Sequence, residues 1–135
     1  VGIIEIHDTS MVGEVGFDYR IMEVFKEHNV SYLMKATNAN SISQIVWEKD
    51  LNKDFIDELK SKFQLVNVEK VALICLIGSN INQPGILAKA AEILEENNIN
   101  IKCISQSLRQ VNIQFVIKKS NYQKAIKCLN KELCL

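Results

Sequence analysis

Apolar residues follow two alternating rhythms along this chain. Residues 2–7 and 71–77 are short apolar runs rich in β-branched side chains and bounded by polar turns, the pattern of buried strands. Each leads through a polar loop, residues 8–16 and 78–85, to apolar positions spaced three and four apart. Phe17, Ile21, Val24 and Phe25 mark one helix, and Ile86, Leu87, Ala90, Ala91, Ile93 and Leu94 mark another. Both run out at an asparagine pair or near-pair (His28-Asn29, Asn97-Asn98), and asparagine tolerates the left-handed backbone of a helix end. Pro84 precedes the second of these helices, where a fixed φ suits a first turn. Further strands are expected over residues 30–37 and 41–47, and again over 99–107 and 111–118, with polar turns at 38–40 and 108–110. A last helix in each series carries Phe55, Ile56, Leu59 and Phe63 on one face, or Tyr122, Ala125, Ile126, Leu129 and Leu133.

The two series are one pattern repeated. Ser10, Gly16, Glu23, Glu27 and Asn29 recur as Ser79, Gly85, Glu92, Glu96 and Asn98, an offset of 85 − 16 = 69 positions. Val24, Phe25, Val30 and Tyr32 meet Ile93, Leu94, Ile99 and Ile101 at the same offset. A fixed period outweighs the single domain that 135 residues would otherwise imply. The chain is therefore expected to hold two units, residues 1–69 and 70–135, each reading β-α-β-β-α. Residues 65–68 are available to close the first. The expected class is α+β, two ferredoxin-like βαββαβ units with antiparallel sheets and helices on one face. The second unit lacks a closing strand. The expected source is upstream of residue 1, in keeping with the absence of an initiator Met, or the other unit. An N-terminal extension of about 10–15 residues should then raise the melting temperature through added burial.

Composition removes several function classes. Sixteen basic residues balance sixteen acidic ones, and 47% of residues are apolar, as in ordinary soluble proteins. Zero net charge leaves no footprint for nucleic acid or an anionic membrane surface. Tyr32, Trp47 and Phe115 are dispersed and lack the basic surround of a base-stacking platform. The longest apolar run, residues 71–77, falls far short of the ~20 residues a membrane helix needs. No basic-then-apolar leader opens the chain. Cys75, Cys103, Cys128 and Cys134 show no CxxC pair and no histidine at ligand spacing. They read as reduced, mostly buried thiols of a cytoplasmic protein.

Catalytic signatures are missing too: no phosphate-binding GxxxxGK[ST], no GxGxxG, no GxSxG, no HExxH. His7 reads as a partly packed strand-end residue and His28 as a cation at a helix C-terminus. No enzyme site, metal or cofactor is expected. What remains is the pair of loops. Each delivers a helix N-terminus, whose unpaired N–H groups favour a carboxylate, and each ends in a glycine, Gly16 or Gly85, that lets a ligand approach the backbone. On the residues alone a ligand cradle and an unliganded turn stand level.

Two stretches carry a family resemblance. His7-Asp8-Thr9-Ser10-Met11, Gly16-Phe17 and His28-Asn29-Val30-Ser31 resemble the first regulatory ACT unit of aspartokinases. Ile104-Ser105-Gln106, the segment 111–117 and Ala125-Ile126-Lys127-Cys128-Leu129-Asn130 resemble the second. The resemblance implies a regulatory fragment without the kinase domain, which in that family makes aspartyl phosphate from aspartate and ATP. Its implied partners are an amino-acid effector, the kinase domain of the same full-length chain, and a second copy that completes a homodimer. Carried over, the effector would rest against Ser10, Met11, Glu14, Gly16, Phe17, Asp18, Tyr32 and Leu33, its carboxylate and amine on backbone groups. Lysine-sensitive relatives hold an acidic residue where this chain has Leu33, so Glu14 or Asp18 would have to receive an ammonium. Lysine and threonine both stay open, as does a dimerisation module that has lost its ligand. Asn80, Gly85, Ile86, Asn100 and Ile101 are the matching positions of the second unit, read as subunit interface.

Overall fold

The computed structural model describes residues 1–78, 83–107 and 112–133. The chain divides into two compact units, Val1–Lys70 and Val71–Leu135. The first contains β1 (Gly2–His7), α1 (Phe17–Glu27), β2 (Met34–Thr37), β3 (Ser41–Val46) and α2 (Lys53–Lys62). It is closed by the first half of β4 (Leu65–Ile77). Its strands lie in the order β2-β3-β1-β4, every pair antiparallel. Register decides which side chains meet the helices. Ile6 stands opposite Ile42 and Val66, and Ile4 opposite Gln44 and Val68. Ile4, Ile6, Ile42, Val46 and Val66 form one buried cluster with Ile21, Val24 and Phe25 of α1 and Phe55 and Leu59 of α2. Phe25 and Phe55 meet edge to face, ring centres 5.0 Å apart. Burial of each such side chain stabilises the fold by roughly 1.5–3 kcal/mol.

The second unit repeats the plan. The second half of β4 pairs with β6 (Asn112–Lys118), which pairs with β5 (Ile101–Gln106). Ala72, Ile74, Ile113, Phe115 and Ile117 pack with Ala90, Ile93 and Leu94 of α3 (Ile86–Glu96) and Ala125 and Leu129 of α4 (Tyr122–Leu133). Both α1 and α3 end as the asparagines imply: Asn29 and Asn98 take φ of +56° and +57°. That turn lets Val30 and Ile99 donate back to Phe25 and Leu94 carbonyls, at 2.9 Å in each case.

Several expectations are corrected. Residues 65–68 and 71–77 are one uninterrupted strand, because the polar Glu69-Lys70 between them holds no turn-forming residue. The unit boundary falls one residue later than expected, after Lys70, inside that strand. β2 begins at Met34 and not at residue 30. Val30 is tied back to α1, and the chain first reaches β3 when the Leu33 N–H donates to the Ile45 carbonyl, at 2.6 Å. β5 likewise starts at Ile101, with a register shift before Cys103. Pro84 precedes α3 as expected, with the Gly85 cap between them. Cys75 is exposed, and Cys103 and Cys128 are half-buried, Cys128 packing against the second core cluster, so none of these three thiols is fully buried; Cys75 and Ile77 alternate with the buried Ile74. Tyr122 and Ile126 are exposed as well. Ile126 borders a groove of about 220 Å³, lined also by Ile74, Leu76, Ile77 and Leu129, beside the strand half with no fourth-strand partner among the described residues. The expected turn at 108–110, residue 111 and Cys134 lie outside the described residues.

Candidate functional site

The loop between β1 and α1 is built on a carboxylate. Asp8 is 5% exposed. Its Oδ1 accepts from the Ser10 hydroxyl at 2.7 Å and the Ser10 N–H at 3.0 Å, and its Oδ2 accepts from the Gln64 N–H at 3.2 Å. The Ser10 hydroxyl holds the Asp8 carboxyl below its ordinary range; the two N–H groups and the Arg20 charge act in the same direction, against burial. Thr9 adds a second tie to Gln64, its N–H and hydroxyl both donating to the amide oxygen at 3.2 Å. One end of the loop is thus clasped to the chain joining α2 to β4. Met11 fastens the middle by burying its side chain in the core.

Beyond Met11 the loop opens. Glu14 donates its N–H to the Met11 carbonyl, and Val12 and Val15 project into solvent. Gly16 then caps α1 with φ of +81°, and Gly85 caps α3 with +91°. A Cβ at either would touch nothing within 4 Å, so the glycine is required by backbone conformation and not by crowding. Neither helix start has a side-chain cap, which leaves the first N–H groups of both without that partner.

Of the expected first-unit residues, Ser10 is exposed and donates to Asp8, Met11 is buried, and Phe17 is buried against Phe63 with ring centres 5.5 Å apart. The two candidate acids are already engaged. Glu14 pairs with Arg20 at 3.3 Å, and Asp18 pairs with Lys35 of β2. The Arg20 guanidinium lies 5.2 Å from the Phe17 ring centre. Tyr32 is 44% exposed, with Lys35 Nζ 5.7 Å from its ring centre, and Leu33 is half-buried. Asp18 and Tyr32 therefore meet through Lys35. In the second unit Gly85 caps its helix, Ile86 and Ile101 are half-buried and Asn100 is exposed. Asn80 lies outside the described residues.

Sequence reasoning passed over Asp8, Lys35, Gln44 and Gln64. A Lys on a strand whose register partner faces the helices was a usable signal for Lys35, and so was a Gln amid Ile42, Ile45 and Val46. Gln44 is 1% exposed, and neither amide atom has a hydrogen-bond partner. Gln64 left no such trace, since its role depends on distant packing. His28 caps α1, sits 3.6 Å from Glu58 and packs on Phe55. Among the described residues no metal-ligating cluster of three or more forms, and no helix is long and apolar enough to cross a membrane.

Comparison with known proteins gives this arrangement a context. Residues 74–133 match the ACT domain family. The chain is 34% identical over 134 residues to aspartate kinase Ask_Ect of Stutzerimonas stutzeri, a match covering 96% of this chain and 28% of that one. The chain thus spans little more than a quarter of that relative's length. Its fold is shared with E. coli aspartokinase III solved with lysine and aspartate (TM-score 0.80, 22% identity, 98% of this chain and 31% of that one). It is shared also with the regulatory subunit of Thermus thermophilus aspartate kinase (TM-score 0.80, 13% identity, 98% and 92%). Residues 74–133 thus match an ACT domain, and the chain as a whole resembles a stretch of about a quarter of the length of an aspartate kinase.

Proposed function

We propose that this chain, as a regulatory region of the aspartate kinase type, binds an end-product amino acid at the β1–α1 loop and relays its presence to the kinase domain of a longer polypeptide. The observation that carries the reading is the loop itself. A clasp at Asp8 and a left-handed Gly16 hold an uncapped helix N-terminus, and Asp18 on its first turn reaches Tyr32 through Lys35. Such a terminus suits the carboxylate of a free amino acid. A left-handed glycine without a side-chain cap recurs at Gly85, and the second unit, by the same reading, serves to pair subunits. The solved aspartokinase III carrying lysine supports an amino acid as the class of effector.

Feedback then follows from linkage. Two copies would pair through their ACT units, since a unit of about 70 residues buries a modest fraction of its surface alone. An effector favouring one arrangement of the pair shifts the equilibrium by no more than its differential affinity for the two. End-product inhibition of aspartyl phosphate formation is the outcome in the intact protein. The test is thermal unfolding in increasing lysine, threonine or methionine. A bound effector raises stability as RT ln(1+[L]/Kd), about 2.7 kcal/mol at a hundredfold excess over Kd. A melting temperature that ignores all three would refute the reading, and concentration-dependent pairing without ligand response would assign the chain to dimerisation alone.

A further inference from the structure

Lys35 is a cation in a confined place. It stands on β2 directly across from Gln44, on the sheet face that carries the core, and its side chain is 18% exposed. Its ammonium donates to Asp18 Oδ2 on the first turn of α1 and lies 5.7 Å from the centre of the Tyr32 ring. A carboxylate joined to an aromatic face is the chemistry that recognises an ammonium. Here both parts are occupied by an ammonium of the chain itself. The acids of the loop are engaged too, Glu14 by Arg20 and Asp8 by Ser10 and the Gln64 N–H. The polar group with unmade hydrogen bonds beside Lys35 is neutral, the buried amide of Gln44.

We propose that Lys35 is a tethered occupant of the cation subsite, so that this chain selects a neutral amino acid over lysine. The proposal rests on the reading of the β1–α1 loop as an amino-acid site and names the class of ligand that site takes. A lysine ligand would have to displace an ammonium held at high effective concentration by its own backbone, and would bring a like charge against it. A neutral amino acid with a short side chain leaves the Lys35–Asp18 pair intact.

Calorimetric titration of the intact chain with lysine, threonine and methionine tests this, on the wild type, Lys35→Met and Lys35→Gln. The wild type should bind a neutral amino acid at least about tenfold more tightly than lysine. Either Lys35 variant should gain about tenfold in lysine affinity with its neutral-ligand affinity little changed, and adding Asp18→Asn should erase the gain. Lysine binding to the wild type as tight as that of the neutral ligands overturns the proposal without help from any variant. So does a folded Lys35 variant that binds a neutral amino acid but gains nothing for lysine. Failure of all three amino acids to bind wild type and variants alike refutes instead the amino-acid reading beneath it.

Discussion

Asp8→Ala removes the carboxylate on which the β1–α1 loop is assembled. Three donors lose their acceptor: the Ser10 hydroxyl, the Ser10 N–H and the Gln64 N–H. Asp8 is 5% exposed and its bonds to Ser10 and Gln64 are part-buried, so water replaces these partners only in part. A buried donor left unsatisfied costs about 1–3 kcal/mol. The hydroxyl can turn to another acceptor, which leaves two backbone N–H groups and a total loss of about 2–4 kcal/mol. For a unit of this size each kcal/mol lowers the melting temperature by roughly 4–8 °C, so a drop on the order of 10 °C or more is expected. Urea unfolding followed by far-ultraviolet circular dichroism measures the loss directly. Asp8→Asn keeps one oxygen acceptor and should lose about half as much. The acid limb supplies an independent check. The Asp8 carboxyl titrates lower in the fold than in the unfolded chain, so its contribution is complete above the unfolded value near ~3.9 and disappears as pH falls through the folded value. Asp8→Asn should lack that step. An Asp8→Ala chain within about 0.5 kcal/mol of wild type, with an unchanged acid limb, would refute the clasp.

Two further substitutions probe the same region. Gln44→Met replaces a buried amide that makes no hydrogen bond with an apolar side chain of similar length, and should stabilise the chain by about 1–3 kcal/mol in urea unfolding; destabilisation would mean that the amide has a partner. Gly16→Ala and Gly85→Ala meet no neighbour but force a left-handed residue, so each should cost about 1–2 kcal/mol, and the two losses should add in the double variant because the glycines cap different helices of different units.

Repetition made the fold legible before any coordinate. The 69-residue offset carries Gly16 onto Gly85 and Asn29 onto Asn98, and all four take positive φ, so the repeated residues are those whose backbone the fold constrains. The apolar periodicity likewise named Phe17, Ile21, Val24, Phe25, Phe55 and Leu59, every one buried. Strand starts were less legible. Residues 30–33 have strand-like side chains, yet the Asn29 turn commits Val30 to α1, a tertiary constraint that propensity cannot register. Tyr122 and Ile126 follow the helical spacing but are exposed, Ile126 beside the strand half with no fourth strand among the described residues, so periodicity overstated their burial. The candidate site was legible only as a stretch of chain. Ser10, Met11, Gly16 and Phe17 line the loop. The pairing of Asp18 with Lys35 and of Glu14 with Arg20 depends on how β2 and α1 pack, which no local pattern contains.

The central claim is that the β1–α1 loop holds a free amino acid. Calorimetric titration of the 135-residue chain with threonine, methionine and lysine, repeated at several chain concentrations, tests it most directly. The account predicts saturable heat with a neutral amino acid, about one ligand per chain, abolished by Gly16→Val and retained in Gly85→Val. No heat from any of the three, or binding that survives Gly16→Val, would contradict it.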